Sequence, residues 1–182
     1  MLWRVTIIRP LFLGVLSALV LVLIVLVAHG NNDDRQHWLV LLPLLALHGA
    51  AVFTPSAGWL RRLVRGAIGF AVSAAAGFAT YAYLHGRTDW FRGLDDSWFI
   101  LLLIVLHAAV PGGTAAAADS PARGLALAGG FTLALCLAIE LAGAAHPGYM
   151  ILLAVGTLAG ALVNALDRAR PDSGWHQRDL RP

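Results

Sequence analysis

Two histidines lie deep inside apolar runs of the sequence, where an ionisable side chain is uncommon. His48 lies ten residues after Trp38, and His107 lies nine residues after Trp98. At about 1.5 Å per residue, helices beginning at the two tryptophans would carry both imidazoles close to the middle of a bilayer. Because imidazole titrates near neutral pH, the pair could line a substrate path or relay protons. The alternative is a neutral histidine that hydrogen-bonds to the backbone of a neighbouring helix.

Glu140 is the third candidate, as the one acidic residue within an apolar stretch of the sequence. A carboxylate in hydrocarbon is costly unless it is paired or hydrated. Counted from Arg123, Glu140 lies roughly 25 Å along a helix, close to the outer boundary of the membrane. The sequence therefore predicts an outer proton or cation site, or else an interfacial residue that reaches water.

Motifs of known enzymes are missing from the sequence. It contains no phosphate-binding glycine loop, no His-Glu-x-x-His zinc motif and no Gly-x-Ser-x-Gly elbow. The single cysteine, Cys136, can form neither an intramolecular disulfide nor a cysteine metal cluster. We therefore expect no enzyme, no metal and no cofactor. An enzyme would have to combine His48, His107 and Glu140, and their predicted depths differ.

The composition is that of a protein embedded in a membrane. The chain is 59% hydrophobic and 13% charged, with a mean hydropathy of +0.74, whereas soluble domains are roughly half apolar. All basic residues are arginines and lie mostly between apolar runs, where membrane topology explains them better than a nucleic-acid partner does. We expect one membrane domain, residues 1–166, surrounded by lipid, and a cytoplasmic tail, residues 167–182.

Six apolar stretches approach the length of about 20 residues that a helix needs to cross the hydrocarbon core. They cover residues 10–28, 38–53, 64–84, 98–110, 124–142 and 149–166. The Val-Pro-Gly-Gly-Thr segment, residues 110–114, is expected to end the fourth helix at the cytoplasmic interface, because proline removes a donor and glycine favours non-helical angles. The alternative is a broken helix that lines a cavity.

The arginines predict the orientation, since short cytoplasmic loops retain positive charge. Only Arg35, Arg87 and Arg92 lie on the opposite side, among aspartates. Both termini are therefore expected in the cytoplasm, and the absence of lysine beside abundant Ala, Gly and Arg suggests a bacterial inner membrane. The arginines assigned to the cytoplasm are Arg4, Arg9, Arg61, Arg62, Arg65, Arg123, Arg168, Arg170, Arg178 and Arg181.

An internal repeat groups the six spans into three helical hairpins. Each outgoing helix opens with arginine and each returning helix opens with an aromatic residue, and a Leu-His step recurs in the first two return helices. The fold predicted is an all-α membrane protein of three parallel-repeat hairpins around a pseudo-threefold axis. The residues that mark the repeat are Arg9, Arg65 and Arg123, Trp38, Trp98 and Tyr149, and His48 and His107.

Small and polar residues inside the spans are expected to serve helix packing. Pairs of small residues let helices approach closely, and single polar groups hydrogen-bond between helices. The small pairs are Gly66 with Gly69, Ser73 with Gly77 and Gly156 with Gly160, and the polar residues are Thr132, Thr157 and Asn164.

Residues 37–84 resemble the membrane domain of the fusaric acid resistance and aromatic acid exporter family. The resemblance consists of a tryptophan-led apolar helix, a Pro/Gly turn, basic residues and an Arg-Gly helix opening, at Trp38, Pro55, Gly58, Arg61, Arg62, Arg65, Gly66 and Gly69. It implies a proton-coupled exporter of aromatic carboxylic acids that works with a periplasmic adaptor. With six predicted spans and no sizeable cytoplasmic domain, this chain would need a second copy or a partner subunit.

The leading hypothesis is therefore a small inner-membrane transporter or exporter-like subunit, assembled as an oligomer. His48, His107 and Glu140 would form its substrate or proton pathway. The second hypothesis is a non-catalytic scaffold or accessory subunit of a larger membrane complex, favoured by short loops and few polar residues inside the spans.

Overall fold

Helices make up the part of the chain that the structure, a computed structural model, describes: residues 7–30, 58–91, 100–101, 104–141 and 147–169. The long elements are α1 (Arg9–Gly30), α2 (Trp59–Leu84), α3 (Val110–Ala117), α4 (Pro121–Leu141) and α5 (Pro147–Ala169). A 3₁₀ turn, Asp89–Phe91, follows α2, and a π-helical turn, Val105–Ala109, leads directly into α3. These ranges contain no β-strand, so the all-α prediction is confirmed.

Three of the helices are long and apolar enough to cross a membrane: Trp59–Leu84, Pro121–Ala138 and Pro147–Ala169. Their outer faces carry exposed leucines, including Leu133 on α4 and Leu162 on α5. Such faces suit contact with lipid, where no polar partner is required. The predicted second span, with His48, lies outside the described residues. The six spans and three hairpins therefore stay predictions.

The expected helix end at residues 110–114 is wrong. The helix runs through Pro111 and the two following glycines and ends at Ala117, with every residue from 110 to 118 buried. Two physical causes explain the difference. The π turn comes first, with the Val110 N–H bonded to the Val105 carbonyl five residues back, so the proline lies in the first turn of α3, where its missing N–H is tolerated. The glycines then pack against neighbouring helices.

Helix α2 begins earlier than the predicted residue 64. Gly58, with φ of 91°, takes the left-handed conformation that glycine adopts readily, and its carbonyl accepts from the Arg62 N–H at 3.2 Å. The helix starting at Trp59 therefore includes Arg61, Arg62 and Arg65 within its first two turns. At the other end of the sequence, α5 extends past the predicted residue 166 to Ala169.

Helices α2, α3 and α5 pack backbone to backbone through small residues. A Cβ atom at Gly77 would lie 2.7 Å from the Ala108 Cβ, and one at Gly156 would lie 2.5 Å from the Ala108 Cα. The Ser73 hydroxyl donates to the Gly156 carbonyl at 3.0 Å, next to Gly112 of α3. Small residues let membrane helices approach this closely, so the predicted packing role of these residues is confirmed.

The remaining helices attach to this three-helix core. Helix α4 packs on α3 and α5, and its Thr132 shares a 3.2 Å hydrogen bond with Thr157 of α5, as expected for a polar inter-helix contact. Helix α1 lies along α4, where Gly14 and Gly130 allow close backbone approach. Helix α3 is thus enclosed by neighbours while α1 lies at the periphery of the described bundle.

Replacing Gly156 by alanine is expected to destabilise the core. The added methyl would collide with the backbone of Ala108, which no side-chain rotation can relieve, and overpacking of this kind costs about 1–3 kcal/mol. Thermal unfolding of the purified protein in a mild detergent measures the change. Gly129→Ala is the matched control, because within the described part no heavy atom lies within 4 Å of a Cβ built there. Equal melting temperatures for the two variants would contradict the close-packing interpretation.

Candidate functional site

The carboxyl end of α3 lies where the first turns of α2 and the last turns of α5 meet. Contacts of Ser73 with Gly156 and of Arg65 with Asp167 show that α2 runs antiparallel to α5. Gly156 and Gly160 of α5 lie against Ala108 and Gly112, and Asn164 reaches Ala115, so α5 runs in the same direction as α3. The ends of three helices therefore converge on residues 115–118.

Arg65 caps the buried end of α3. Its Nε donates to the Ala116 carbonyl and its Nη2 to the carbonyls of Ala117 and Ala118, while Nη1 lies 3.0 Å from Asp167 Oδ2. Only 7% of the Arg65 side chain is exposed. The last carbonyls of any helix lack intrahelical donors, and burying them unpaired is costly. A planar guanidinium with five N–H groups can serve several of them at once.

Asn164 completes the cap from the side of α5. Its Nδ2 donates to the Ala115 carbonyl at 2.9 Å and to the Ala118 carbonyl at 3.0 Å. Its Oδ1 accepts from the Arg168 Nε at 3.1 Å, so both the nitrogen and the oxygen of the side-chain amide are hydrogen-bonded. Asn164 is fully buried, and its expected role as inter-helix glue is confirmed. Every carbonyl from residue 115 to 118 therefore has a side-chain donor.

Asp167 balances the charge of Arg65. One carboxylate oxygen accepts from Arg65, and the other lies 3.1 Å from Arg61 Nη2, so the carboxylate bridges two positions one turn apart on α2. About a quarter of the Asp167 side chain and 36% of the Arg61 side chain are exposed. The buried positive charge is thus paired with a negative charge that keeps contact with the surface, an arrangement that lowers the cost of burying it.

A second ion pair lies beside the cap, in the turn between α3 and α4. Arg123 pairs with Asp119, and the Arg123 N–H donates to the Ser120 hydroxyl at 3.2 Å. A serine in this position caps the start of α4. The arginines of α2, α4 and α5 that were predicted to share one side therefore lie at the same end of the described bundle.

His107 is half-buried in the π turn and lies beside Tyr149 of α5. The two ring centroids are 5.4 Å apart, with an angle of 36° between the ring planes. The histidine lies ten residues before the end of α3, so it is about 15 Å from the Arg65 cap. The His107 side chain thus lies partly inside the bundle. The residues of α3 that follow it, 110–117, contain no titratable side chain.

Glu140 is exposed near the end of α4. Because α4 starts beside the end of α3 and runs the other way, Glu140 lies nineteen residues, or about 28 Å, from that end, against about 15 Å for His107. The structure therefore does not bring His107 and Glu140 to one level. His48 lies outside the described residues. A pathway formed by His48, His107 and Glu140 therefore stays a prediction.

The opposite end of the core is closed by aromatic residues. Phe91, 1% exposed, lies against Gly148 at the start of α5, and its ring meets Tyr81 edge-on at a centroid distance of 5.1 Å. The ring of His85 lies 5.0 Å from that of Tyr81. Arg87, assigned by sequence to the outer side, lies 4.1 Å from the ring of Tyr83, as in a cation–π contact.

Metal-binding groups do not assemble in the described ranges, where no three His, Cys, Asp or Glu side chains come together. Fold and site together describe a helical protein with three candidate membrane spans and a charged cap at one end of a buried helix. No protein-family model matches the chain, and no curated protein and no solved structure matches it either.

The role of the Arg65 cap was missed at the level of the sequence. From the sequence alone, Arg65 marks the cytoplasmic side and Asp167 begins the tail. A signal was present: Arg61 and Arg65 are spaced four residues apart, and Asp167 is an acidic residue at the end of an apolar helix predicted to finish on the same side. A helical pair of arginines facing one carboxylate follows from that spacing.

Replacing Arg65 by glutamine is expected to lower the free energy of unfolding by about 3 kcal/mol. This is the lower end of the range for breaking a buried ion pair, because Asp167 stays partly exposed and keeps Arg61. Thermal or denaturant unfolding in detergent measures the loss. Arg61→Gln is the matched control and should cost under about 1 kcal/mol, since that arginine is one-third exposed. A similar loss in both variants would show that the cap is not the critical contact.

Proposed function

We propose that this chain is a multi-pass membrane transporter subunit, proton-coupled and exporter-like, with His107 as a titrating group of its pathway. The carrying observation is the place of His107, half-buried in a π-helical turn beside Tyr149. π turns inside helices are frequent at functional sites. Ionisable groups within membrane helices are expensive, and where they persist they commonly line ion or substrate paths.

The helical segment that holds His107 is held firmly at one end and less regularly hydrogen-bonded at the other, which would allow it to change conformation. One end is α3, held through the carbonyls of residues 115–118 by Arg65 and Asn164. The other is the π turn, where hydrogen bonding is less regular than in an α-helix. Protonation of His107 would place a positive charge beside the ring of Tyr149, 5.4 Å away between ring centroids. The proposal therefore assigns rigidity to α3 and the proton-dependent change to the turn.

An oligomer or a partner subunit is part of this proposal. Helices α2, α3 and α5 approach through glycines at Gly77, Gly112 and Gly156, so a solute path between these three would have to separate them. A path between this core and a second copy, or a partner subunit, avoids that cost. The resemblance to aromatic acid exporters supplies the class of solute, a small aromatic carboxylic acid, and suggests a periplasmic adaptor as a further partner.

Topology in the proposal follows the arginines. The end that holds Arg61, Arg65, Arg123 and Arg168 is placed in the cytoplasm of a bacterium, and the end with Arg87 faces the periplasm. Positive charge in short loops is retained on the cytoplasmic side, which supports this orientation. Both termini of a six-span chain would then be cytoplasmic.

Flux measurements test the proposal. In liposomes with an imposed pH gradient, the protein should drive uptake of an aromatic acid such as benzoate, and His107→Gln should reduce it to the level of protein-free vesicles. His85→Gln, an exposed histidine at the end of α2, is the control and should transport like the wild type. Glu140→Gln tests the predicted outer proton site separately. If Glu140 is such a site, the variant should change the pH dependence of flux. Gradient-driven flux that persists in His107→Gln would contradict the assignment of His107.

A scaffold or accessory subunit is the second candidate. The observation that favours it is the cap itself, in which the charged groups Arg65 and Asp167 are used for structure. A scaffold would show no flux alone and would purify with a membrane partner in fixed proportion. Flux by the purified chain without any partner would exclude this candidate.

A further inference from the structure

We propose that the arginines around Asp167 form a binding site for the headgroup of an anionic phospholipid. The site consists of Arg61 on α2, which contacts Asp167, and Arg168 on α5, the residue after Asp167, and both charges act on the buried Arg65. Both side chains contact the cap, Arg61 through Asp167 and Arg168 through Asn164, and each contact uses only part of the guanidinium group. The ligand class is a phosphate diester carrying acyl chains.

Charge at this end of the described bundle exceeds what its acidic groups can neutralise. Leaving Arg62 out of the count, the arginines are Arg61, Arg65, Arg123 and Arg168, and the acidic residues are Asp119 and Asp167. Asp119 pairs with Arg123, and Asp167 is shared between Arg61 and Arg65. In the described ranges no ion pair includes Arg168, and its charge acts on Arg65 together with that of Arg61. An added anion would relieve this repulsion.

The donors at the site are placed for a phosphate. Arg61 uses Nη2 for both its contacts with Asp167, and Arg168 uses Nε for its contact with Asn164. The described contacts of these two guanidinium groups therefore leave further N–H donors unused, on Arg61, which reaches Asp167 from α2, and on Arg168, which follows Asp167 on α5. Arginine binds phosphate through two parallel N–H groups. A guanidinium that makes one contact with a carboxylate still has other N–H groups available. Both side chains are also accessible, since Arg61 is half-buried and Arg168 is exposed.

The surroundings indicate a lipid and not a free phosphate. One turn from Arg61 on α2, Val64 is 53% exposed, and at the same end of the bundle Leu60 of α2 and Leu166 of α5 are 58% and 57% exposed. Trp59, 54% exposed, begins α2 at the same level, as tryptophan does at membrane interfaces. An anion held here would have apolar surface on one side. That combination fits a molecule with a charged head and hydrocarbon tails.

Native mass spectrometry of the purified full chain tests this site, with phosphatidylglycerol and phosphatidylcholine of identical acyl chains as probes. Phosphatidylglycerol should bind and phosphatidylcholine should not. The double variant Arg61→Gln, Arg168→Gln should bind phosphatidylglycerol about twenty-five-fold more weakly, at about fivefold for each arginine near an anionic lipid. Arg123→Gln, at the same end but paired with Asp119 in the turn before α4, should bind like the wild type.

Three results would overturn the proposal: equal binding of the two lipids, unchanged binding in the double variant, or displacement of phosphatidylglycerol by inorganic phosphate. The last would assign the site to a free phosphate compound. The variant Arg61→Lys, Arg168→Lys keeps both charges and should retain most of the binding. Melting temperatures of all variants in lipid-free detergent separate loss of binding from loss of folding, because none of the substitutions replaces Arg65, Asn164 or Asp167.

Discussion

Arg65 joins the carbonyl end of one helix to the carboxylate of another, and the arrangement of the core depends on that junction. Helix α3 has only eight residues and ends inside the protein, so its final carbonyls cannot reach water. Each carbonyl left unpaired in such surroundings would cost about 1–3 kcal/mol. Donors from α2 and α5 make the short helix possible, and they fix the relative height of all three helices at the same time.

The glycine packing and the cap support each other. Close approach of α2, α3 and α5 is needed for Arg65 and Asn164 to span the distance to α3, and the cap in turn sets the register in which Gly112 meets Ser73 and Gly156. In lipid the hydrophobic effect does not hold helices together, so packing and inter-helix hydrogen bonds must do so. The core therefore combines many weak contacts along the helices with one strong polar group at the end.

Much of the helical fold could be predicted from the sequence, because apolar runs of membrane length are bounded by arginines, aspartates and glycines. The predicted and observed limits of α1, α4 and α5 agree within a few residues, and the packing role of Asn164 follows from its type. Two features depend on distant parts of the chain and could not be predicted in this way. Continuation of the helix past Pro111 depends on neighbours that receive its glycines. The cap depends on Asp167, 102 residues away from Arg65.

The π turn at Val105–Ala109 has a consequence for how this segment can change over evolution. A π turn is an α-helical turn that holds one additional residue, and each residue of an α-helix turns the chain by about 100°. The turn therefore rotates the face of the helix before it by about 100° relative to the face after it. Gain or loss of one residue between 105 and 109 would re-aim His107 while leaving the capped half of the helix, and the helices attached to it, in place.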